Sequence, residues 1–386
     1  MNGRRATAGA AAVVVLAALA GCGAADGSSK PAVAPPAVIR LGTLLPLTGR
    51  SNHSGESMLN GAKLAVSEAN AAGGVLGRQV VLVAEDDACD PGTAVTAAQS
   101  LVKQDIAASV GGYCSSAVVP TLTVFRSAGV PMIVAEANST DLLAPKYDSV
   151  FLMCGTVAAE AKFAIGWMKR LGGTRLAVVH DGTSFPMTLA DSTVASARRT
   201  GSLTVTAELQ LSQGAPSYRR TADTIRAGKA DVVYYTGYYA EANQLIKDLR
   251  DGGFTGKVVV GDGATDGPLL TKLTATQRRN VYGTALIFPQ FIPGIEAWSA
   301  RYRAAVGTTP GPGTVEAYDA VQVALDAIKR AGSLDHETIR RAIAKTAITG
   351  ISGPLGFNAD GTRTKPTFLM LRAQGDTFTL ERGTTS

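Results

Sequence analysis

Asp262 sits between Gly261 and Gly263 at the end of an apolar run, and Tyr238-Tyr239 follows another such run. Phe185 comes shortly after His180-Asp181, where a third run ends. One carboxylate beside aromatic rings is the set that an ammonium group needs, through a charge-assisted hydrogen bond and cation–π contact. Elsewhere, Tyr113-Cys114-Ser115-Ser116 precedes a helical stretch expected to start near Ala117, and Glu136-Ala137-Asn138-Ser139 precedes a second expected helix start. Small hydroxyl residues at a helix N-terminus supply O–H groups, free backbone N–H groups and the positive end of the dipole, which make a carboxylate or phosphate receptor. The same residues serve equally as plain N-caps, and Asp262 as a turn residue between two glycines. Facing each other across a cleft, the two half-sites fit a zwitterion, that is, an α-amino acid.

Chemistry on a bound molecule is not indicated. A Ser/His/Asp hydrolase needs an elbow of the form G-x-S-x-G, which the chain lacks. Neither a Walker A sequence nor H-E-x-x-H occurs, and His53, His180 and His336 have no metal-ligand spacing. The run Asp86-Asp87-Ala88-Cys89-Asp90-Pro91-Gly92 has the acids of a calcium loop but contains a proline and lacks the closing Glu. Gly73-Gly74-Val75-Leu76-Gly77-Arg78 ends a helix and enters a strand, the reverse of the nucleotide-binding order, so it reads as a C-cap and turn. No catalytic residue, metal or cofactor is expected.

The elements that must position these residues alternate. Short β-branched apolar runs at 39–45, 79–85, 108–111, 132–135 and 150–153 read as strands, separated by helical stretches at 55–72, 91–104 and 117–128. A second pass has helices at 158–171, 187–199, 218–227 and 240–252 among strands at 175–180, 203–209, 232–236 and 257–261. Such alternation signals βαβ units and parallel sheets covered on both faces, here as two similar α/β halves. A strand at 281–288 precedes helices at 296–306, 313–331 and 335–345 with no strand among them, so the chain is expected to recross and cover the first half with helices. The tail, 368–372 and 377–381, reads as a hairpin. Ligands of open parallel sheets lie beyond the carboxyl ends of the strands, which is where the chemistry-bearing loops fall.

The first residues are an address. Arg4 and Arg5 carry positive charge, residues 8–20 are small and apolar, and Leu19-Ala20-Gly21-Cys22 closes the run, which is too short to span a bilayer. The ending resembles the lipobox of bacterial lipoproteins, whose cysteine is lipidated and becomes the new N-terminus, so residues 1–21 read as a signal peptide and Cys22 as a lipid anchor. The Ala-, Gly-, Ser- and Pro-rich stretch 22–37 reads as a flexible tether. An exported protein folds where disulfides persist. Cys89 and Cys114 fall in loops after neighbouring parallel strands and form the natural bridge, while Cys154, inside an apolar strand, reads as a small buried hydrophobe.

With 386 residues, 46% of them hydrophobic and only 18% charged, the chain is long and apolar enough for two or three domains and too apolar for wholesale disorder. Four cysteines over this length cannot staple a whole fold. The excess of 37 basic over 31 acidic residues forms no basic stripe with interleaved aromatics, so no nucleic-acid partner is expected.

Taken together, Asn70-Ala71-Ala72-Gly73-Gly74-Val75-Leu76-Gly77, Asp86-Asp87-Ala88-Cys89-Asp90-Pro91, Cys114-Ser115-Ser116, Ala177-Val178-Val179-His180-Asp181 and the stretch from Asp231 to Tyr238 resemble the branched-chain amino-acid (leucine/isoleucine/valine) binding proteins of ABC transporters. The resemblance runs from Val38 to the end. It implies a type I periplasmic binding protein fold: two Rossmann-like lobes joined by three crossovers, with residues 38–155 plus 285–350 as the first lobe and 156–284 plus 351–386 as the second. It implies that Ser115, aided by the backbone at Glu136 and by Asn138, holds a ligand carboxylate, that Tyr238 and Asp262 hold the ammonium, and that Phe185 and Tyr113 line the cleft, with Ser116 and Ala137 also counted among the ligand-binding residues. It also implies the Cys89–Cys114 disulfide. Ser54 stands where the family often has an aromatic residue, and Glu136 and Asn138 replace smaller or hydroxyl residues, which makes the cleft more polar. The expected role is an extracytoplasmic, lipid-anchored, monomeric binder that delivers a small amino acid to an ABC permease. A ligand sensor for a membrane receptor, or a binder of an amide, urea-like or small organic-acid ligand, is the alternative.

Overall fold

The computed structural model describes residues 38–265 and 268–384; the expected signal peptide, tether and Cys22 lie outside the described residues. The first lobe runs β1 (Ile39–Leu45), α1 (Asn52–Ala71), β2 (Val80–Asp86), α2 (Pro91–Lys103), β3 (Ala108–Ser109), α3 (Ser115–Ser127), β4 (Met132–Val134) and β5 (Val150–Leu152). The second continues with α4 (Val157–Arg170), β6 (Arg175–His180), α5 (Ser184–Thr200), β7 (Thr204–Gln210), α6 (Arg219–Ala227), β8 (Val232–Tyr235), α7 (Tyr239–Asp251), β9 (Lys257–Val260), the short α8 (Asp262–Thr265) and β10 (Val281–Ala285). Then come α9 (Glu296–Val306), α10 (Thr314–Ala331), α11 (His336–Ala344), the hairpin β11 (Ile348–Gly350) and β12 (Gly353–Leu355), and a second hairpin, β13 (Leu369–Gln374) and β14 (Thr377–Leu380).

The duplication inferred from the sequence is present in the strand order. The first sheet reads β2-β1-β3-β4-β5, and the second reads β7-β6-β8-β9-β10 before β13 and β14 extend its edge. Within each five-strand unit the pairing is parallel, as β-branched strands buried on both faces require, while β13 and β14 pair antiparallel. On one face of the first sheet α1, α10 and α11 bury Met58, Val315, Val321, Ile328 and Ile339; α2 and α3 cover the other face with Leu101, Leu122 and Phe125. The returning helices therefore cover the first lobe, as their lack of intervening strands implies. Gly61 is required where α1 meets α10, because a Cβ there would stand 2.2 Å from the Thr314 carbonyl oxygen.

Three local expectations need correction. The last crossing comes later than residue 351: Leu355 and Phe357 pack into the first-lobe core, Leu152 N–H donates to the Gly361 carbonyl at 2.9 Å, and Arg363 Nη1 donates to the Met153 carbonyl at 2.9 Å. The chain reaches the second sheet only at β13. Cys154 lies two residues beyond β5 and not within a strand, although it is buried as expected. Helix α3 starts at Ser115, not near Ala117, because Cys114 already occupies the extended N-cap position. Among the described residues no helix is long and apolar enough to cross a membrane.

Candidate functional site

The strand order locates the cleft. In the first sheet the chain moves from β1 to β2 on one side and to β3 on the other; β6 is the equivalent strand in the second, and the crevice over the carboxyl ends at that switch is where such sheets receive ligands. From the first lobe, Tyr113, Glu136 and Asn138 enter it on the loops after β3 and β4, with Pro312 ahead of α10. Opposite them stand Phe185 on the first turn of α5, Tyr238 after β8, and Asp262 and Gly263 at the start of α8. Leu286 and Phe288, on the crossing after β10, complete the lining of the cavity.

The wall is aromatic and acidic. The Tyr238 ring lies 6.0 Å from Tyr113 and 5.7 Å from Phe185, centroid to centroid, joining rings from both lobes. Asn138 Nδ2 donates to Asp262 Oδ2 at 3.2 Å, a hydrogen bond between lobes. Asp262 Oδ1 accepts from the Gly263 N–H at 2.7 Å, and the Asp262 N–H donates to Glu160 Oε1 at 3.1 Å. Gly313 holds a left-handed backbone, and a Cβ on it would stand 2.9 Å from Glu136 Oε1, so the chain turns tightly against that carboxyl group. Burial first, then the nearby carboxyl groups of Asp181, Asp262, Asp87 and Glu136, push the Tyr238 hydroxyl well above its ordinary pKa and keep it a neutral donor.

Glu160 is the residue that sequence reasoning missed. Its Oε1 accepts from Thr284 Oγ1 at 2.5 Å and from the Tyr234 hydroxyl at 3.2 Å, and the Asp262 carboxyl lies within hydrogen-bonding reach. Burial pushes its pKa up to about 7 against the lowering effect of those bonds. The signal was there: Glu160 shares one face of α4 with Val157, Ala161, Ala164 and Met168, a charged residue in an apolar stripe at helical spacing. Leu286, Phe288 and Pro312 carry no chemical signature and could be found only from the fold.

The sequence-predicted residues divide. Tyr113, Glu136, Asn138, Phe185, Tyr238 and Asp262 come together in one cavity. Ser115 does not line it: it is fully buried, and its Oγ accepts from the Ser139 N–H at 3.3 Å. Ala137 is also buried away from it, and the N–H groups of Glu136 and Ala137 both donate to the Gly112 carbonyl, at 3.0 and 3.1 Å. Ser116 lines a second cavity around the disulfide with Arg50, Tyr239 and Glu241. Ser54 is buried on α1 and is not among the residues lining the cleft. Ser139 caps a single turn, Thr140–Leu142, through the Asp141 N–H and not a full helix.

The disulfide joins Cys89 and Cys114, with Cα atoms 5.3 Å apart. Their strands, β2 and β3, are not neighbours but flank β1, so the bridge passes over the end of the central strand. The acids before Cys89 hold backbone: Asp86 Oδ1 accepts from Leu47 N–H and Ala88 N–H at 2.8 Å each, and Asp87 Oδ1 from Cys89 N–H at 2.8 Å. Among the described residues no cluster of His, Cys, Asp and Glu could hold a metal ion. Cys154 is free and buried, and its Sγ donates to the Glu136 carbonyl at 3.1 Å.

Residues 38–377 match the periplasmic binding protein family. An amino acid binding protein of Pseudomonas aeruginosa is 33% identical over 300 residues, 76% of this chain and 79% of that protein. A Leu/Ile/Val-binding protein homologue of Brucella melitensis is 31% identical over 86% of this chain and 90% of its own length. Among solved structures, a leucine binding protein of Thermotoga maritima superimposes with a TM-score of 0.80 at 25% identity, covering 89% of this chain and 98% of that one. A solute binding protein of R. palustris in complex with benzoate shares the fold at 19% identity, with a TM-score of 0.79 over 89% of this chain and 95% of that chain, so the scaffold alone does not fix the ligand. These relatives are binding proteins and not enzymes. The chain belongs to the periplasmic binding protein family, as a solute-binding protein of the branched-chain amino-acid ABC-transporter type.

Proposed function

We propose that the chain is lipid-anchored through Cys22 on the outer face of the cell membrane, captures a small ligand of the amino-acid class by hinge closure, and delivers it to an ABC permease. The observation that carries this reading is the cavity walled by both lobes, in which the Asn138–Asp262 hydrogen bond spans the cleft. A ligand seated there touches both lobes only when they meet, which is the differential affinity that shifts a hinge equilibrium. Asp262 takes the ligand ammonium, Tyr238, Phe185 and Tyr113 pack around its carbon skeleton, and Asn138 and Glu136 supply the remaining polar contacts. Ser115 and Ala137 support the loop from behind.

The experiment is a thermal-shift screen of the domain beginning after Cys22 against amino acids, their amides and small organic acids. A ligand at about 100 times its Kd adds about 2.7 kcal/mol, enough to move the Tm by a few degrees. Silence across the panel would sink the amino-acid reading. Metabolic labelling with a fatty-acid analogue, present in the full chain and lost in Cys22→Ala, tests the anchor.

A further inference from the structure

Two carboxyl groups stand together at the second-lobe wall of the cleft. Glu160 is wholly buried, and its Oε1 takes hydrogen bonds from Thr284 Oγ1 at 2.5 Å, the Asp262 N–H at 3.1 Å and the Tyr234 hydroxyl at 3.2 Å. Its other oxygen, Oε2, finds no N–H or hydroxyl donor among the described residues, and the Asp262 carboxyl lies within hydrogen-bonding reach of the Glu160 side chain. An ionised carboxylate can only accept, so two of them bond only when one keeps a proton. Burial favours that state because it penalises a second charge, and it pushes the Glu160 pKa up to about 7. Asp262 also lines the cleft, so a charge arriving there acts on the proton behind it.

We propose that Glu160 and Asp262 hold one proton between them and that the ligand ammonium, arriving at Asp262, drives it off to solvent, which makes Glu160 a positioning residue that couples capture to proton release. The inference rests on the reading that Asp262 receives the ammonium. A cation within about 4–6 Å favours the ionised form of a carboxyl group. The O–H bond of the shared proton breaks, the proton passes to water, and two carboxylates then face one cation. With the ammonium on Asp262 the ligand's own carboxyl is the farther group, so the attraction prevails. The free protein holds the proton and the complex does not, so affinity rises with pH across about pH 6–8. The other groups around the pair do not titrate in that range. Burial raises the Tyr234 hydroxyl on β8, the Tyr282 hydroxyl on β10 and the Cys154 thiol above their ordinary pKa values, which keeps them neutral. On α5, which packs along α4, Asp191, Arg198 and Arg199 are all exposed, and Glu136 faces Asp262 from the opposite wall.

Calorimetry of the domain beginning after Cys22, with L-leucine and L-glutamine at pH 7 in phosphate and in Tris, reads the proton directly, because the two buffers take it up with different heats. Wild type should release about 0.3 proton or more per ligand bound, and its Kd should fall at least about threefold from pH 6 to pH 8. Glu160→Gln, which can still accept from the Asp262 N–H and donate to its carboxyl, should release none, and its Kd should change by less than about 1.5-fold over the same range. Should that variant fail to fold, infrared difference spectra of wild type decide: binding should remove a protonated-carboxyl C=O band, and an unchanged spectrum would overturn the inference. Binding without proton release, or release that persists in Glu160→Gln, overturns it too and leaves the solute-binding reading standing. Absence of binding by both amino acids overturns both.

Discussion

Glu160→Gln removes one ionisable proton and little else, because Gln Oε1 can accept the same hydrogen bonds from Thr284, Tyr234 and the Asp262 N–H. In the folded protein burial holds the Glu160 pKa up at about 7, against an ordinary 4.5. The folded state therefore binds a proton that the unfolded chain has released throughout that interval. The stability this contributes is fully present below pH 4.5 and is lost as pH rises through about 7. At about 1.4 kcal/mol for each pH unit, the interval corresponds to about 3 kcal/mol. The groups facing Glu160 are the Asp262 carboxyl, the Tyr234 hydroxyl and Thr284; burial and the Glu160 charge push Tyr234 far above its ordinary pKa, so it stays neutral across this range. Asp87, raised to about 6 by burial, titrates alike in both proteins and cancels from the comparison. Urea unfolding of wild type and Glu160→Gln at pH 5, 6, 7 and 8 should show wild type losing about 2–3 kcal/mol relative to the variant between pH 5 and pH 8. A difference that stays constant with pH would refute the buried, protonated carboxyl.

Other perturbations separate the cleft from the scaffold. Asp262→Ala should weaken binding by about 3–5 kcal/mol, the cost of leaving a buried ammonium unpaired, and calorimetry with whichever amino acid gives the thermal shift reads it directly. Arg50 Nη1 meets Glu241 at 2.6 Å across the cleft mouth with Arg50 59% exposed, so Arg50→Ala should cost about 0.5–1 kcal/mol of ligand affinity, less in high salt. Reducing Cys89–Cys114 opens a loop with a sequence separation of 25 and should lower stability in urea by about 3 kcal/mol. One further thiol, Cys154, should react with a thiol reagent only after denaturation, since it is buried. Gly61→Ala should lower the Tm by forcing α1 away from the Thr314 carbonyl, with ligand affinity at 25 °C unchanged.

The fold was legible because its signals are periodic. β-branched runs alternating with amphipathic helices state a doubly wound sheet, and the same order stated twice gives two lobes. Element ends moved by up to three residues, as at the starts of α1, α3 and α5, because capping geometry depends on which side chain takes the turn. The hairpin of β11 and β12 was not anticipated, since Ile348–Gly350 and Gly353–Leu355 are too short to show alternation. That Asp262 and the rings meet in one cavity was legible because charge and aromatic residues at strand ends are rare enough to notice. The place of Ser115 was not legible for a physical reason: a serine at a helix start looks the same from sequence whether its Oγ lines the cavity or, as here, accepts from a backbone N–H of the next loop. Glu160 was legible in its helical stripe, but its purpose was not, because Asp262 is 102 residues away in the chain.

The contacts that hold the lobes together explain why a ligand can decide between open and closed. Among the described residues the polar links across the cleft include Asn138 to Asp262, Arg50 to Glu241, the Tyr239 hydroxyl to the Arg50 carbonyl, Ser184 to Ser139 and Asp141, and Thr188 to Ser139. The two at Arg50 are exposed to solvent, where each contributes about 0–1 kcal/mol because water competes for the same groups. The large apolar cores, by contrast, stay mostly within their own lobes, and the apolar links between them are small: Tyr238, which packs against both, and a cluster of Cys154, Leu286 and Phe368 at the crossings. Closure therefore forfeits little when it is undone, and the balance sits within the few kcal/mol that one small molecule supplies by touching both walls. The Asn138–Asp262 bond sharpens this balance, because an ammonium arriving at Asp262 can displace the amide and leave Asn138 to bond the ligand's own polar group. Asn138→Ala should accordingly leave the unliganded protein as stable in urea as wild type within about 1 kcal/mol, while weakening the ligand by more than that. Equal losses in both measurements would mean that Asn138 serves the scaffold and not the capture.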